Sequence, residues 1–316
     1  MLSKARAHLP KIIFSLALLG LALSRVSAQR LWEAAHQLSL VTFLLCLGLG
    51  TAQVFIASWR WHLMLRAVGV HLRLATTFKV NIVSLLANTL MINVVGGALT
   101  RIYLLSKMAV PSPPVLSTTA LEKVLATAVL AVMSLAGLSV LHPQLVPHLP
   151  SYAGRAGVTI LLLMLGGAAF GARSQRGRHW VRAALRYLRA VLESARAFLV
   201  NGRALAVAVF LTILSQLVIV LIGVALTASL WAGASPLNVM LVLPATMLLA
   251  GLPISVGGWG VREFSTMVAL GLLGASPDIG LLVSLLIYAS TLGGIVVAAA
   301  LMLPVHLNRR AEAGAL

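Results

Sequence analysis

Six long apolar runs constrain this chain more than any other feature of its sequence. They lie at residues 11–29, 38–58, 116–140, 155–172, 204–230 and 279–303. A helix that crosses a bilayer needs about 20 mostly apolar residues, and each run is of about that length. Because hydrophobic residues make up 60% of the chain and charged residues only 9%, a water-soluble surface cannot be built from it. The sequence therefore predicts an all-α polytopic membrane protein with six spanning helices.

Two further apolar segments, 80–110 and 237–275, are each interrupted near the middle by two glycines and a charged residue. Interruptions of this kind are typical of broken helices or re-entrant hairpins. They leave backbone N–H and C=O groups free, which is tolerated at membrane depth only against protein, water or a polar ligand. The sequence alone leaves open whether these two broken hairpins return to their own side or cross the membrane.

The two interruptions share a motif, V-G-G-x-x-x-R, at residues 95–101 and 256–262. Each copy is followed by a Ser-Pro turn and then by a spanning helix. If both hairpins return, the order helix, helix, hairpin, helix describes residues 1–140 and again residues 155–303, and the second unit begins on the opposite side. This order predicts an inverted repeat, the architecture in which secondary transporters place a substrate site at the membrane midplane.

The distribution of the 24 lysines and arginines, against only 6 acidic residues, indicates the orientation of the chain. The basic residues cluster near both termini, between residues 60 and 79, and in 173–203. By the positive-inside rule this places both termini in the cytoplasm, with the chain in the inner (plasma) membrane. Arg60 is counted among these cytoplasmic charges. Residues 26–28 resemble a cleavage site, but Arg25 fits a signal peptide poorly, so we predict a retained first helix.

The segment 173–203, inserted in the second repeat, holds eight arginines and one acidic residue, Glu193. Its leucines and valines recur at helical spacing, which predicts an amphipathic helix on the membrane surface. Arg182, Arg186 and Arg189 would face lipid phosphates. The alternative is a basic connector that only fixes topology.

Charged side chains at membrane depth cost about 3 kcal/mol each on insertion scales, so each invites a functional explanation. The substrate-binding candidates are charged residues and glycines in or near the two motifs: Arg101, Arg262, Glu122, Glu263, Gly96, Gly97, Gly257 and Gly258. The two arginines are predicted to engage a phosphate. Glu122 is predicted to pair with Arg101, and Glu263 to neutralise and tune its neighbour. The alternative for the glycines is close helix packing. Asp278 is predicted to be a helix N-cap.

Several classes of function find no support in the sequence. The single cysteine, Cys46, excludes disulfides within the chain and multi-cysteine metal sites. No HExxH motif and no GxxxxGK[ST] motif occurs, so a zinc hydrolase or an ATP-driven pump is poorly supported. We expect no cofactor, no metal, no catalytic residue and no nucleic-acid partner.

Three stretches carry a resemblance to a known family. Residues 59–70 read Trp-Arg-Trp-His-Leu-Met-Leu-Arg-Ala-Val-Gly-Val, residues 121–123 read Leu-Glu-Lys, and residues 252–263 read Leu-Pro-Ile-Ser-Val-Gly-Gly-Trp-Gly-Val-Arg-Glu. Together with the first Gly-Gly-x-x-x-Arg they resemble the transmembrane, flippase-like region of lysylphosphatidylglycerol synthases. The resemblance implies movement of an anionic-lipid derivative between leaflets, by a stand-alone member without the soluble aminoacyltransferase domain. Ile92, Asn93 and Ala98 depart from the family pattern, which implies a different headgroup or weaker binding at the first motif.

These observations leave three functional hypotheses. The leading one is a translocator of an anionic phospholipid or a polyprenyl-phosphate-linked lipid, with facilitated or ion-coupled movement. The second is a membrane scaffold for a glycosyltransferase or lipid-modifying enzyme, which would dock on residues 173–203. The third is an intramembrane transferase with Glu122 or Glu263 as its base, for which few carboxylates are available.

Overall fold

A computed structural model describes residues 15–90, 96–145, 201–252 and 257–302, together with the single residues Arg189 and Arg196. Within these ranges all regular structure is helical, which confirms the predicted all-α class. The named helices are α1 (Ala28–His36), α2 (Leu40–Ala67), α3 (Leu74–Leu90), α4 (Gly96–Ser106), α5 (Ser112–Leu145), α6 (Gly202–Leu230), α7 (Pro236–Gly251), α8 (Val261–Leu272) and α9 (Pro277–Met302). Residues 15–23 are also helical.

Four helices, α2, α5, α6 and α9, are long and apolar enough to cross a membrane. They correspond to four of the six predicted spans. The predicted span 155–172 lies outside the described residues, and the run 11–29 is described only from residue 15. The chain is therefore a multi-pass membrane protein, while the six-helix count and the inverted repeat stay predictions.

The ends of several helices differ from the prediction. The second span does not end at residue 58 but continues to Ala67, because no helix breaker intervenes before Gly69, whose φ is 83°. In the first run, helix ends at residue 23, and a turn precedes α1. The prediction that Asp278 is an N-cap is wrong. Ser276 Oγ takes that position by accepting the Ile279 N–H at 3.4 Å, and the Asp278 carboxylate accepts the Ser27 N–H at 3.0 Å.

Both interrupted segments contain two helices that pack on each other. Helices α3 and α4 flank residues 91–95, and α7 and α8 flank residues 252–260. Residues 91–95 and 253–256 lie outside the described part of the chain. In the second segment α8 begins at Val261, directly after the turn at residues 257–260, and in the first segment α4 is described from Gly96.

The centre of the fold is the antiparallel pair α2 and α6. Cys46 faces Ile222, Gln53 Nε2 donates to Ser215 Oγ at 3.3 Å, and Arg60 donates to Thr212 at 3.2 Å, so the residue numbers rise on one helix as they fall on the other. Helix α9 packs against both. Where α9 crosses α2, Gly50 and Gly294 are in such close contact that a side chain on either would overlap backbone. Small residues at a helix crossing allow this approach in membranes.

Candidate functional site

Arg101, on the buried face of α4, makes contacts with three other helices. Its guanidinium donates to Glu122 Oε2 at 2.7 Å and to Thr119 Oγ1 at 3.2 Å, both on α5. It also donates to Asn81 Oδ1 on α3 at 2.5 Å. The same guanidinium lies 4.2 Å from the centre of the Trp61 ring on α2, a cation–π distance. The predicted pair between Arg101 and Glu122 is therefore confirmed.

Glu122 binds a second arginine that the sequence did not indicate. Arg60 Nη2 donates to Glu122 Oε1 at 2.5 Å, and Arg60 Nη1 donates to Thr212 Oγ1 on α6 at 3.2 Å. The Arg60 side chain is only 6% exposed, so Arg60 is a buried charge, and its place on the cytoplasmic side of the membrane stays a prediction. It was missed because the second span was predicted to end at residue 58. The absence of a breaker between Trp59 and Val68 was the signal that could have extended the helix.

We call these residues the Arg–Glu–Arg cluster: Arg60, Arg101 and Glu122, with Trp61, Asn81, Thr119 and Thr212 around them. Asn81 extends it by donating to Ser58 Oγ at 2.8 Å. The cluster joins α2, α3, α4, α5 and α6, so five helices meet at one buried polar layer. Side chains of this kind are expensive in a membrane interior unless each finds a partner, and they mark functional sites there.

The charges of the Arg–Glu–Arg cluster do not cancel. Two guanidinium groups share one carboxylate, which leaves one positive charge in a buried position. Arg60 Nε and Trp61 Nε1 are also buried, and within the described residues neither has a hydrogen-bond partner. A buried donor without a partner costs about 1–3 kcal/mol. An anionic group with several oxygen acceptors would satisfy both the charge and the donors, and phosphate is such a group.

The second motif builds a smaller cluster around Arg262. Arg262 Nη2 and Nε donate to Glu263 Oε1 at 2.5 and 3.0 Å, so the predicted local neutralisation is confirmed. Glu263 is fully buried, and its other oxygen accepts the Gly260 N–H at 2.7 Å, which caps α8. The Arg262 guanidinium lies 4.4 Å from the Tyr288 ring centre and 5.7 Å from that of Trp259. This cluster is neutral, and its polar contacts are within three residues of one another.

Three of the four candidate glycines have structural reasons to be glycine. A Cβ on Gly97 would lie 3.1 Å from the Ser84 carbonyl oxygen, so α4 begins in tight contact with α3. Gly257 and Gly258 have φ of 62° and 83°, which other residues rarely adopt. Gly96 is buried at the first position of α4. The geometry thus favours close helix packing for Gly97 and a backbone requirement for Gly257 and Gly258, and contact between the candidate glycines and a substrate stays a prediction.

The remaining candidates are three arginines of the segment 173–203. Arg182 and Arg186 lie outside the described residues, and Arg189 is helical and exposed. Among the parts of the chain that the structure describes, no group of three or more His, Cys, Asp or Glu side chains is placed to hold a metal ion.

The fold and the Arg–Glu–Arg cluster define a multi-pass helical membrane protein with a buried, positively charged polar layer. The sequence profile of the lysylphosphatidylglycerol synthase transmembrane region matches residues 9–299. The chain belongs to that family, as the resemblance of its motifs predicted. No protein of curated function and no solved structure matches the chain.

Proposed function

We propose that this protein is a flippase-like translocator in the inner membrane, moving an anionic phospholipid or a polyprenyl-phosphate-linked lipid between leaflets. The Arg–Glu–Arg cluster binds the lipid phosphate during passage. The observation that carries the proposal is the uncompensated positive charge of this buried cluster, together with its unpartnered donors. Family membership also supports a lipid substrate, because the family is named after a phospholipid synthase.

Arginine suits this role better than other cations. Its planar guanidinium can donate two parallel hydrogen bonds to a phosphate and is always charged. When no lipid is present, Glu122 holds both arginines and limits the cost of burying them. A phosphate that reaches the cluster competes with Glu122 for the same donors, so binding is reversible, as a transport step requires. This competition with Glu122 limits how tightly the cluster holds the phosphate.

The packing of the helices supports alternating access by two inverted halves. If α2 is exchanged with α6, α3 with α7, α4 with α8 and α5 with α9, each principal contact between two of these helices becomes another contact that is also observed. Within the halves, α2 on α3 corresponds to α6 on α7, α3 on α4 to α7 on α8, α4 on α5 to α8 on α9, and α2 on α5 to α6 on α9. Between the halves, α2 on α9 corresponds to α6 on α5, and α3 on α9 to α7 on α5. The antiparallel α2 and α6 pair corresponds to itself, as expected for a two-fold axis in the membrane plane.

The geometry does not favour the intramembrane transferase. Glu122 accepts hydrogen bonds from two arginines, and Glu263 accepts from Arg262 and the Gly260 backbone. A carboxylate held in this way is a poor general base, because its lone pairs are already occupied by cationic donors. Under the translocator proposal both termini lie in the cytoplasm, as the distribution of basic residues indicates.

Translocation is tested in proteoliposomes that carry fluorescent phosphatidylglycerol or a fluorescent polyprenyl phosphate, with quenching of the outer leaflet as the readout. The test variant is the double substitution Arg60→Gln, Arg101→Gln. The control with equal charge loss is Lys107→Gln, Lys123→Gln, at two exposed positions. We expect faster exchange with wild type and with the control than in protein-free vesicles, and loss of that acceleration in the double variant. If wild type moves neither lipid, translocation is wrong and the scaffold hypothesis takes first place.

A further inference from the structure

A second feature lies outside the Arg–Glu–Arg cluster: a groove of about 700 Å³ between the end of α2 and the start of α6. We call it the α2–α6 groove. Its walls include Leu63 and Arg66 from α2, His71 just beyond it, and Arg203, Val207 and Phe210 from α6. A volume of this size falls within the range of ligand-binding sites.

The spacing of its residues makes the groove amphipathic along its length. Trp59, Leu63 and Arg66 on α2 and Arg203, Val207 and Phe210 on α6 follow the same helical spacing, so each set occupies one face. Because α2 ends where α6 begins and the helices are antiparallel, the arginines lie at one end. The aromatic residues lie about 10 Å deeper along the helices, at about 1.5 Å per residue. One end of the groove is therefore cationic and the other is apolar.

The cationic end is not neutralised by the rest of the described chain. Arg66, His71 and Arg203 are exposed, and no hydrogen bond or ion pair joins their side chains to another described residue. The described lining of the groove contains no acidic side chain. Its charge therefore complements an anion.

The apolar end identifies the source of that anion. Phe210 is 61% exposed and Trp59 is 55% exposed, and both lie on helices that are apolar enough to span a membrane. Tryptophan favours the membrane interface and phenylalanine the acyl-chain region, so two such rings at one level suit the part of a lipid just below its headgroup. A free phosphate ion would use only the arginines, whereas a phospholipid would cover both ends of the groove at once.

We propose that the α2–α6 groove binds one anionic phospholipid of the surrounding leaflet, with its phosphate between Arg66 and Arg203 and an acyl chain along Val207 and Phe210. Its deep end adjoins the contact between Arg60 and Thr212, since these residues neighbour Trp59 and Leu211 in the chain. The groove thus holds a lipid beside the cluster. The inference goes beyond translocation, because such a lipid would bind even to a protein that moves none.

The test is equilibrium binding to the purified full chain in neutral detergent, followed by native mass spectrometry. The probes are phosphatidylglycerol, phosphatidylcholine and inorganic phosphate. The variant is Arg66→Gln, Arg203→Gln, and the control with equal charge loss is Lys107→Gln, Lys123→Gln, at two exposed positions away from the groove. Two arginines near a lipid surface contribute enough that we expect phosphatidylglycerol affinity to fall about thirtyfold in the variant and to change little in the control.

A second variant tests the apolar end. Phe210→Ala is expected to weaken phosphatidylglycerol binding and leave any binding of inorganic phosphate unchanged. The proposal is overturned if phosphatidylcholine binds as tightly as phosphatidylglycerol, if the arginine variant matches its control, or if inorganic phosphate displaces the lipid at equal concentration. Should the double variant fail to fold, Arg203→Gln alone serves the same comparison. The assay needs no transport, so its failure leaves the translocation result standing, and the converse also holds.

Discussion

The two copies of the V-G-G-x-x-x-R motif share a sequence but build different sites. In the first copy α4 begins at Gly96, and Arg101 reaches partners on α2, α3 and α5. In the second copy the glycines form a turn, and Arg262 bonds to the residue that follows it. The hydrogen bonds of the first site join distant residues and the site carries a net positive charge, whereas the hydrogen bonds of the second are local and the site is neutral.

The difference shows that a repeated motif does not imply a repeated role. The arginine of each copy is partnered by a glutamate and lies over an aromatic ring, so both copies solve the problem of burying a guanidinium. Only the first copy gains a second arginine, Arg60, from the central helix pair. That added charge is the basis for proposing that the first site binds an anion, whereas in the second site Glu263 accepts the Gly260 N–H and caps α8.

The largest effect is expected from removing the shared carboxylate. Glu122→Gln leaves Arg60 and Arg101 buried without a counter-charge, and breaking a buried pair in this way costs about 3–5 kcal/mol. Glu263→Gln affects one arginine that is 18% exposed and keeps an acceptor for the Gly260 N–H, so we expect a smaller loss. Thermal unfolding in detergent measures both. Equal losses would remove the distinction between the two sites.

The arginines separate the sites by function. Arg101→Gln is expected to lower the rate of lipid translocation at least tenfold, because it removes about half the donors of the proposed phosphate site. Arg262→Gln is expected to stay within about threefold of wild type, since the pair of Arg262 with Glu263 carries no uncompensated charge for a phosphate. Proteoliposome assays of the two single variants make the comparison. A larger loss from Arg262→Gln would instead assign the phosphate to the second motif.

For the glycines we expect the larger loss of stability in the second copy of the motif, the opposite of the order expected for the glutamates and arginines. Gly258→Ala forces a side chain into a left-handed conformation 3.0 Å from the Ala250 carbonyl oxygen, and should cost about 1–2 kcal/mol. Gly97 has helical backbone, so Gly97→Ala should cost less, limited by the tight contact with Ser84. Unfolding in graded denaturing detergent would rank the two. The opposite ranking would show that the α3 and α4 contact is the more rigid one.

The smallest effect concerns the link from the cluster to α6. Thr212→Val keeps the shape of the side chain but removes the acceptor for Arg60 Nη1, at a cost of about 1 kcal/mol. A matched change, Thr227→Val, lies on the same helix, and its hydroxyl bonds only within α6. The midpoint temperature of thermal unfolding should fall further for Thr212→Val than for Thr227→Val. Equal shifts would mean that the contact between Arg60 and Thr212 contributes no net stability.

Much of this arrangement could be predicted where the cause is local. Apolar length gave the spans near 204–230 and 279–303, and chain proximity indicated the pairs of Arg101 with Glu122 and of Arg262 with Glu263. Arg60 could not be placed in this way, because its burial depends on α6, which lies about 150 residues away in the chain. The contact of Asp278 with Ser27 could not be predicted for the same reason. Periodicity reports which face of a helix is apolar, not which distant helix covers a charge.

The most direct test of the central claim compares lipids that differ only in the phosphate. Proteoliposomes would carry fluorescent phosphatidylglycerol or a neutral glycosyl diacylglycerol with the same acyl chains, with wild type and the Arg60→Gln, Arg101→Gln variant. If the Arg–Glu–Arg cluster binds the phosphate, wild type accelerates only the phosphate lipid, and the variant accelerates neither. Equal acceleration of both lipids by wild type, retained in the variant, would contradict the assignment of the phosphate to this cluster.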